Sequence, residues 1–222
     1  MICVVDVETT GLRAETDRVC ELAGVVITDN EIETHRSSIV NPGIPIPIVA
    51  SAVHHLTDKD VVDARSLEEA VDFVIPGGVK IYAAHNSPFD RSFLQILEPA
   101  LWIDTCACAR HLYPESPTYS NQVLRYYLGV EPKLSNVGRE GQPHSALYDA
   151  LTTAEILLCM LKENTVEDLL KLSGTPILLK SMPFGKHKGS LFSEVPKDYL
   201  EWLRGRPDLS ADLKYTLDHH VK

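Results

Sequence analysis

No long hydrophobic run occurs in this chain. Its longest apolar stretches, such as Ile156 to Leu161, fall far short of the roughly 18 apolar residues that a membrane-spanning helix needs, so a helical span and a membrane partner are excluded. Behind Met1 there is no basic segment and no small-residue cleavage site. Ile2-Cys3-Val4-Val5 leads at once into charged residues, and the chain is expected to stay in the cytoplasm. Cys-x-x-Cys is also missing. The five cysteines (Cys3, Cys20, Cys106, Cys108, Cys159) are odd in number and mostly in apolar contexts, so they read as reduced core residues rather than a zinc or redox site. Positive charge is scarce: 21 Lys/Arg against 31 Asp/Glu give a net charge of −10, which argues against a protein that coats nucleic acid by phosphate neutralisation alone. Internal repeats and low-complexity segments are absent as well.

What remains is an ordinary globular composition, 44% hydrophobic and 23% charged, over 222 residues. That length holds one ordinary domain with about 50 residues to spare. Charge is uneven along it. Thr175 to Lys222 carries eight Lys/Arg and six Asp/Glu, whereas residues 1–174 carry 13 and 25. Such an acidic body fits a divalent-metal enzyme or simply a soluble surface.

Ile2 to Val5 is a wholly apolar, β-branched run, the pattern of a strand buried on both faces. Val19 to Thr28 and Ile32 to Val40 flank Asp29-Asn30-Glu31 as a hairpin. Ser66-Leu67-Glu68-Glu69 has the form of a capping box and opens a helix to about Val74. Lys80 to Ala84 and Leu101 to Ile103 read as strands, and Tyr119 to Leu128 and Ser145 to Lys162 as helices. In Ser87-Pro88-Phe89-Asp90 the pattern predicts an N-cap serine, proline at the first helical position and an acid at the third. Three early strands followed by alternating helices and strands make an α/β layer fold with a mixed sheet. Ser173-Gly174-Thr175-Pro176 reads as a linker.

Three clusters carry the chemistry. In Val5-Asp6-Val7-Glu8-Thr9-Thr10-Gly11, strand alternation points Asp6 and Glu8 from one face, while Thr10-Gly11 turns the chain and brings backbone N–H groups toward a ligand. Two like charges there repel unless a cation joins them, and all-oxygen ligation suits Mg²⁺ or Mn²⁺ rather than zinc. In Ala84-His85-Asn86-Ser87-Pro88-Phe89-Asp90, the acid lies at the carboxyl end of a strand, where ligands collect in α/β sheets; it also suits the helix dipole. In His144-Ser145-Ala146-Leu147-Tyr148-Asp149, histidine and acid converge at the opening of one long helix.

Taken in order, Asp-x-Glu, then Asp after His-Asn-x-x-Phe, then His-x-x-x-x-Asp, the clusters resemble the three motifs of the DEDDh (DnaQ-like) 3′–5′ exonucleases. Asn41-Pro42-Gly43, Ala52-Val53-His54 and Leu56-Thr57-Asp58 resemble the family's segment between the first two motifs, with His55 standing where the family often has Gly. The likeness covers about residues 1–165. Met182 to Gly189 and Val195 to Leu203 are similar to the C-terminal module of the exodeoxyribonuclease X subgroup.

The resemblance implies an α/β, ribonuclease H-like mixed sheet flanked by helices over residues 1–170, and a small module over 176–222. It implies a 3′–5′ exonuclease that releases nucleoside 5′-monophosphates from single-stranded DNA or the 3′ ends of duplexes, in repair or recombination. Asp6, Glu8, Asp90 and Asp149 would hold two Mg²⁺ ions, with Mn²⁺ able to substitute, and His144 would take the proton from the attacking water. Thr10, Gly11, Leu12 and Arg13 would line the terminal nucleotide, with Leu12 and Arg13 as a wedge. His85 and Asn86 would touch the nucleotide, and Lys186 and Lys188 DNA phosphates. An RNA exonuclease of the ribonuclease T or oligoribonuclease kind would share these residues. A polymerase proofreading subunit and a non-catalytic nucleic-acid-binding protein are further readings, and the oligomeric state is open, a homodimer included.

Overall fold

A computed structural model describes residues 1–134 and 139–221. The chain forms two compact units, Met1–Ser173 and Gly174–Lys222. In the first, β1 (Ile2–Thr9), β2 (Val19–Thr28), β3 (Glu31–Ile39), β4 (Ile81–Ala84) and β5 (Leu101–Asp104) make one sheet in the order β3-β2-β1-β4-β5. β1 to β3 pair antiparallel, while β4 joins β1 and β5 in parallel, so the sheet is mixed, as expected. The hairpin turn is tighter than the sequence pattern implies. Asp29 and Asn30 alone make it, both at positive φ (52° and 62°), and Glu31 already pairs with Thr28 in β3.

Helices cover both faces. They are α1 (Ile48–His54), α2 (Asp58–Val61), α3 (Leu67–Val74), α4 (Ser87–Phe93), α5 (Thr105–Leu112), α6 (Asn121–Leu128), α7 (Ala146–Leu161) and α8 (Val166–Ser173). Ile2 and Val4 of β1 share a core with Ala146, Leu147, Ala150 and Leu151 of α7. The intervening Cys3, Val5 and Val7 share another with Ala70, Val71 and Val74 of α3. Burial on both faces explains why the strand reads as a continuous apolar run. Caps set the helix starts: Ser66 and Glu69 form the expected capping box, and Ser120 and Ser145 cap α6 and α7. All five cysteines are free thiols.

Two expectations need correction. The N-cap of α4 is Asn86, not Ser87, because Asn86 takes the left-handed conformation (φ 71°, ψ 56°) and its N–H donates to the Asp104 carboxylate at 3.2 Å. Asp90 therefore sits one position deeper in the helix than predicted. The linker begins at Gly174, since α8 runs through Ser173, whose hydroxyl donates to the Leu169 carbonyl and accepts the Asp104 N–H. His55, in the family's glycine position, closes α1 at φ 63°, the left-handed region where a β carbon is unfavourable.

The second unit packs Met182, Phe192, Val195, Leu200, Leu203, Leu213 and Leu217 between α9 (Lys197–Arg204) and α10 (Ala211–His220). Gly185 and Gly189, both at positive φ, bound the turn that exposes Lys186 and Lys188. On α9, Leu200 and Leu203 are buried and Trp202 is exposed. No helix among the described residues is long and apolar enough to cross a membrane.

Candidate active site

Strand alternation sends Asp6 and Glu8 to the face already used by Ile2 and Val4, toward the start of α7. There Asp149, in the first turn of that helix, meets them. Carboxylate oxygens of Asp6, Glu8 and Asp149 all lie within 4.8 Å of one another, the group of acids that could hold a metal ion among the described residues.

Asp90 arrives from α4. β4 ends at Ala84, so the β1 N–H groups beyond it on that edge have no strand partner, and the Asp90 Oδ1 accepts the Val7 N–H at 3.2 Å. His144 lies just ahead of α7 with an exposed side chain, in the left-handed conformation (φ 66°). Its N–H donates to Asp149 Oδ2 at 2.8 Å, which ties histidine and acid together through the backbone.

The acids are held where ionisation is costly. Burial, then the charges of Asp90, Asp149 and Glu8, push the Asp6 carboxyl well above the usual range. Burial, then Glu21 and Asp149, push Glu8 up to about 8, against the pull of Arg139. Burial raises Asp90 to about 8 despite its backbone hydrogen bonds, and burial raises Asp149 despite the His144 N–H. Oxygen-only ligands and excess negative charge fit Mg²⁺ or Mn²⁺.

Raised carboxyl pKa values mean that, above the ordinary carboxylate range of about 4, the unfolded chain gives up protons the metal-free fold still holds. Stability of the metal-free protein should therefore be greatest below that range and fall as pH rises toward 8, the level of Glu8 and Asp90. Added Mg²⁺ or Mn²⁺ should raise Tm, and more at pH 8 than at pH 6, because the ion replaces protons. Thermal unfolding with chelator and with metal across that window checks this; a flat, metal-insensitive Tm would contradict it.

The remaining predicted residues are distributed as follows. Thr10 is buried, its hydroxyl accepting the Arg18 N–H at 3.0 Å. A β carbon at Gly11 would lie 2.5 Å from the Asp17 carboxylate, which accepts the Arg13 N–H and would have to shift to make room. This turn presents Leu12 (84% exposed) and Arg13 to solvent. Asn86 is exposed. His85 differs from expectation: Nε2 donates to the Tyr119 carbonyl at 2.7 Å and Nδ1 lies 2.9 Å from the Thr105 hydroxyl, so neither ring nitrogen is left for a nucleotide. Burial lowers its pKa, consistent with a neutral ring. Lys186 and Lys188 belong to the second unit.

Sequence reasoning missed the supporting residues. Gln122 Nε2 donates to Asp149 Oδ1 at 3.4 Å, and Asn121 Nδ2 donates to the Asp149 carbonyl at 3.1 Å. Asp104 accepts N–H bonds from Asn86, Cys106 and Ala107. Glu21 stands directly across from Glu8 in the β1–β2 ladder and is 1% exposed. Its signal was available: a lone charge inside the apolar run Val19 to Ile27.

A family model described as exonuclease matches residues 3–157, and a second, named for a quorum-sensing-regulated virulence factor, matches residues 175–208. Exodeoxyribonuclease 10 of Escherichia coli K12 is 32% identical over all of this chain and 99% of its own length. The PolC-type DNA polymerase III of Bacillus subtilis is 34% identical over 72% of this chain but only 11% of the polymerase. Among solved structures, Exonuclease X in complex with 5′ overhanging duplex DNA superposes with a TM-score of 0.70 and 32% identity, over 78% of this chain and 100% of that one. The nuclease domain of 3′hExo, a DEDDh family member, shares the fold at a TM-score of 0.59 and 21% identity, over 73% and 92%. With its acids in the order of the three motifs and its likeness extending from end to end, this chain belongs to the exonuclease family, as a DEDDh-type 3′–5′ exonuclease on a ribonuclease H-like fold.

Proposed function

We propose that this exonuclease acts on DNA 3′ ends and releases nucleoside 5′-monophosphates, in repair or recombination. The observation that carries the metal-dependent reading is the meeting of Asp6, Glu8 and Asp149 within 4.8 Å, with the charge of Asp90 acting on Asp6. In this reading the four acids hold two Mg²⁺ ions, with Mn²⁺ able to substitute. Bound there, divalent ions supply Lewis acidity toward water and phosphate oxygens. His144 takes the proton of the attacking water as its oxygen bonds to phosphorus; the bond from phosphorus to the 3′ oxygen breaks, and that oxygen is protonated by solvent. An exposed imidazole at the rim can exchange its proton after each turnover.

Thr10 and Gly11 line the terminal nucleotide, Leu12 stacks on a base and Arg13 meets a phosphate. Asn86 contacts the nucleotide from the start of α4. His85 serves by fixing the turn into α4, not by giving a ring nitrogen to substrate. Lys186 and Lys188 add sequence-independent, salt-sensitive affinity for phosphates.

DNA is favoured because the relative aligned along the whole chain is an exodeoxyribonuclease and the superposed Exonuclease X is a DNA complex. Matched DNA and RNA strands with identical 3′ ends test this, with kcat/KM expected to be higher on DNA. A higher kcat/KM on RNA would overturn the substrate class while leaving the catalytic roles in place.

A further inference from the structure

Among the described residues, Glu21 and Arg139 form the most enclosed ion pair, and neither belongs to a motif. Arg139 grips both Glu21 carboxylate oxygens, at 2.9 and 2.5 Å, in a bidentate fork, and its Nε donates to the His54 carbonyl at 3.0 Å. Glu21 Oε2 also accepts the Ala146 N–H at 2.9 Å. One buried carboxylate on β2, an interior strand, thus holds the chain at two places, five residues before His144 and two after it. Between them the His144 N–H is bonded to Asp149.

We propose that Glu21 and Arg139 are positioning residues for the reaction, which hold the loop bearing His144 in register with the acids on β1. This rests on the assignment of His144 as the base. Glu21 is not a fifth metal ligand in this account, because the Arg139 fork and the Ala146 N–H occupy its oxygens. The pair needs the guanidinium fork in particular: a lysine ammonium could neutralise Glu21 but could not span both oxygens and the His54 carbonyl. Arg139 also offsets the Glu21 charge facing Glu8, so the anchor stands beside the acids without adding its full charge to theirs.

The test is a double-mutant cycle in the full chain, read as kcat and KM on a single-stranded DNA 3′ end and as Mn²⁺ binding to the metal-free proteins by calorimetry. Because a misplacement of about 1 Å can cost about 10²-fold in rate, Arg139→Ala should lower kcat by up to about that factor. KM should stay near the parent value, and Mn²⁺ affinity should not fall, since the uncovered Glu21 charge favours a cation. In a His144→Ala background the same substitution should remove nothing more, since groups that act as a unit do not contribute independently. If Arg139→Ala unfolds the chain, Arg139→Lys takes its place in the cycle, with a smaller loss of the same pattern. Losses that multiply in the double variant, or a fall in Mn²⁺ affinity that matches the fall in kcat, would overturn the proposal. An inactive-base outcome is separate: His144→Ala without effect would refute the assignment of the base, and with it this route of action.

Discussion

Asp6→Asn should remove most turnover while making the metal-free protein harder to unfold. The two effects have one cause. Asp6 is half-buried and faces the charges of Asp90, Asp149, Glu8 and Glu21, so in the absence of a cation its ionised form is disfavoured, and a neutral amide of the same shape relieves the repulsion. The same amide is a poor ligand for a hard cation. Loss of one preorganised electrostatic contact at a reacting centre costs about 10²–10³ in kcat, and a lost metal ligand should cost at least that. Glu8, Asp90 and Asp149 should follow in turnover when changed to Ala or to the amide. Melting in chelator beside kcat in Mg²⁺ reads both signs, and a folding defect would lower both together. Parental turnover in two of the four variants would contradict the ligand assignment.

His144→Ala should lose about 10²–10⁴ in kcat with DNA still bound, the usual contribution of a general base. The substitution is clean for a structural reason. The bond that places His144 is made by its backbone N–H to Asp149, which alanine retains, and the exposed imidazole leaves no cavity. Single-turnover rates across neutral pH, with binding measured in parallel, give the result. Unchanged turnover over that range would refute the role.

Local chemistry explains which parts of this were legible in the sequence. The apolar β-branched start of β1 fixed both its burial and the face of Asp6 and Glu8, because a pleat allows one alternation. The Ser66 to Glu69 box announced the start of α3 for the same local reason. Asn86 was missed as a cap because its left-handed turn is set by a bond to Asp104, 18 residues away. His85 looked free for substrate until its ring met Thr105 and Tyr119. The Glu21–Arg139 pair spans 118 residues, beyond any spacing rule, and only the lone acid in an apolar strand hinted at it. α1, α2 and α8 are short and held by tertiary contact or by Thr/Asp caps, as at Thr57 with Asp60 and Thr165 with Asp168, which a search for long periodic patterns passes over.

The most direct measurement of the central claim follows one DNA strand labelled separately at its 3′ and 5′ ends, with purified protein in Mg²⁺ and in chelator. In Mg²⁺ the 3′ label should leave at once as a mononucleotide while the 5′ label shortens stepwise, and in chelator both should stay intact. Release of the 5′ label first, or equal digestion in chelator, would contradict a metal-dependent 3′–5′ exonuclease built on Asp6, Glu8, Asp90, Asp149 and His144.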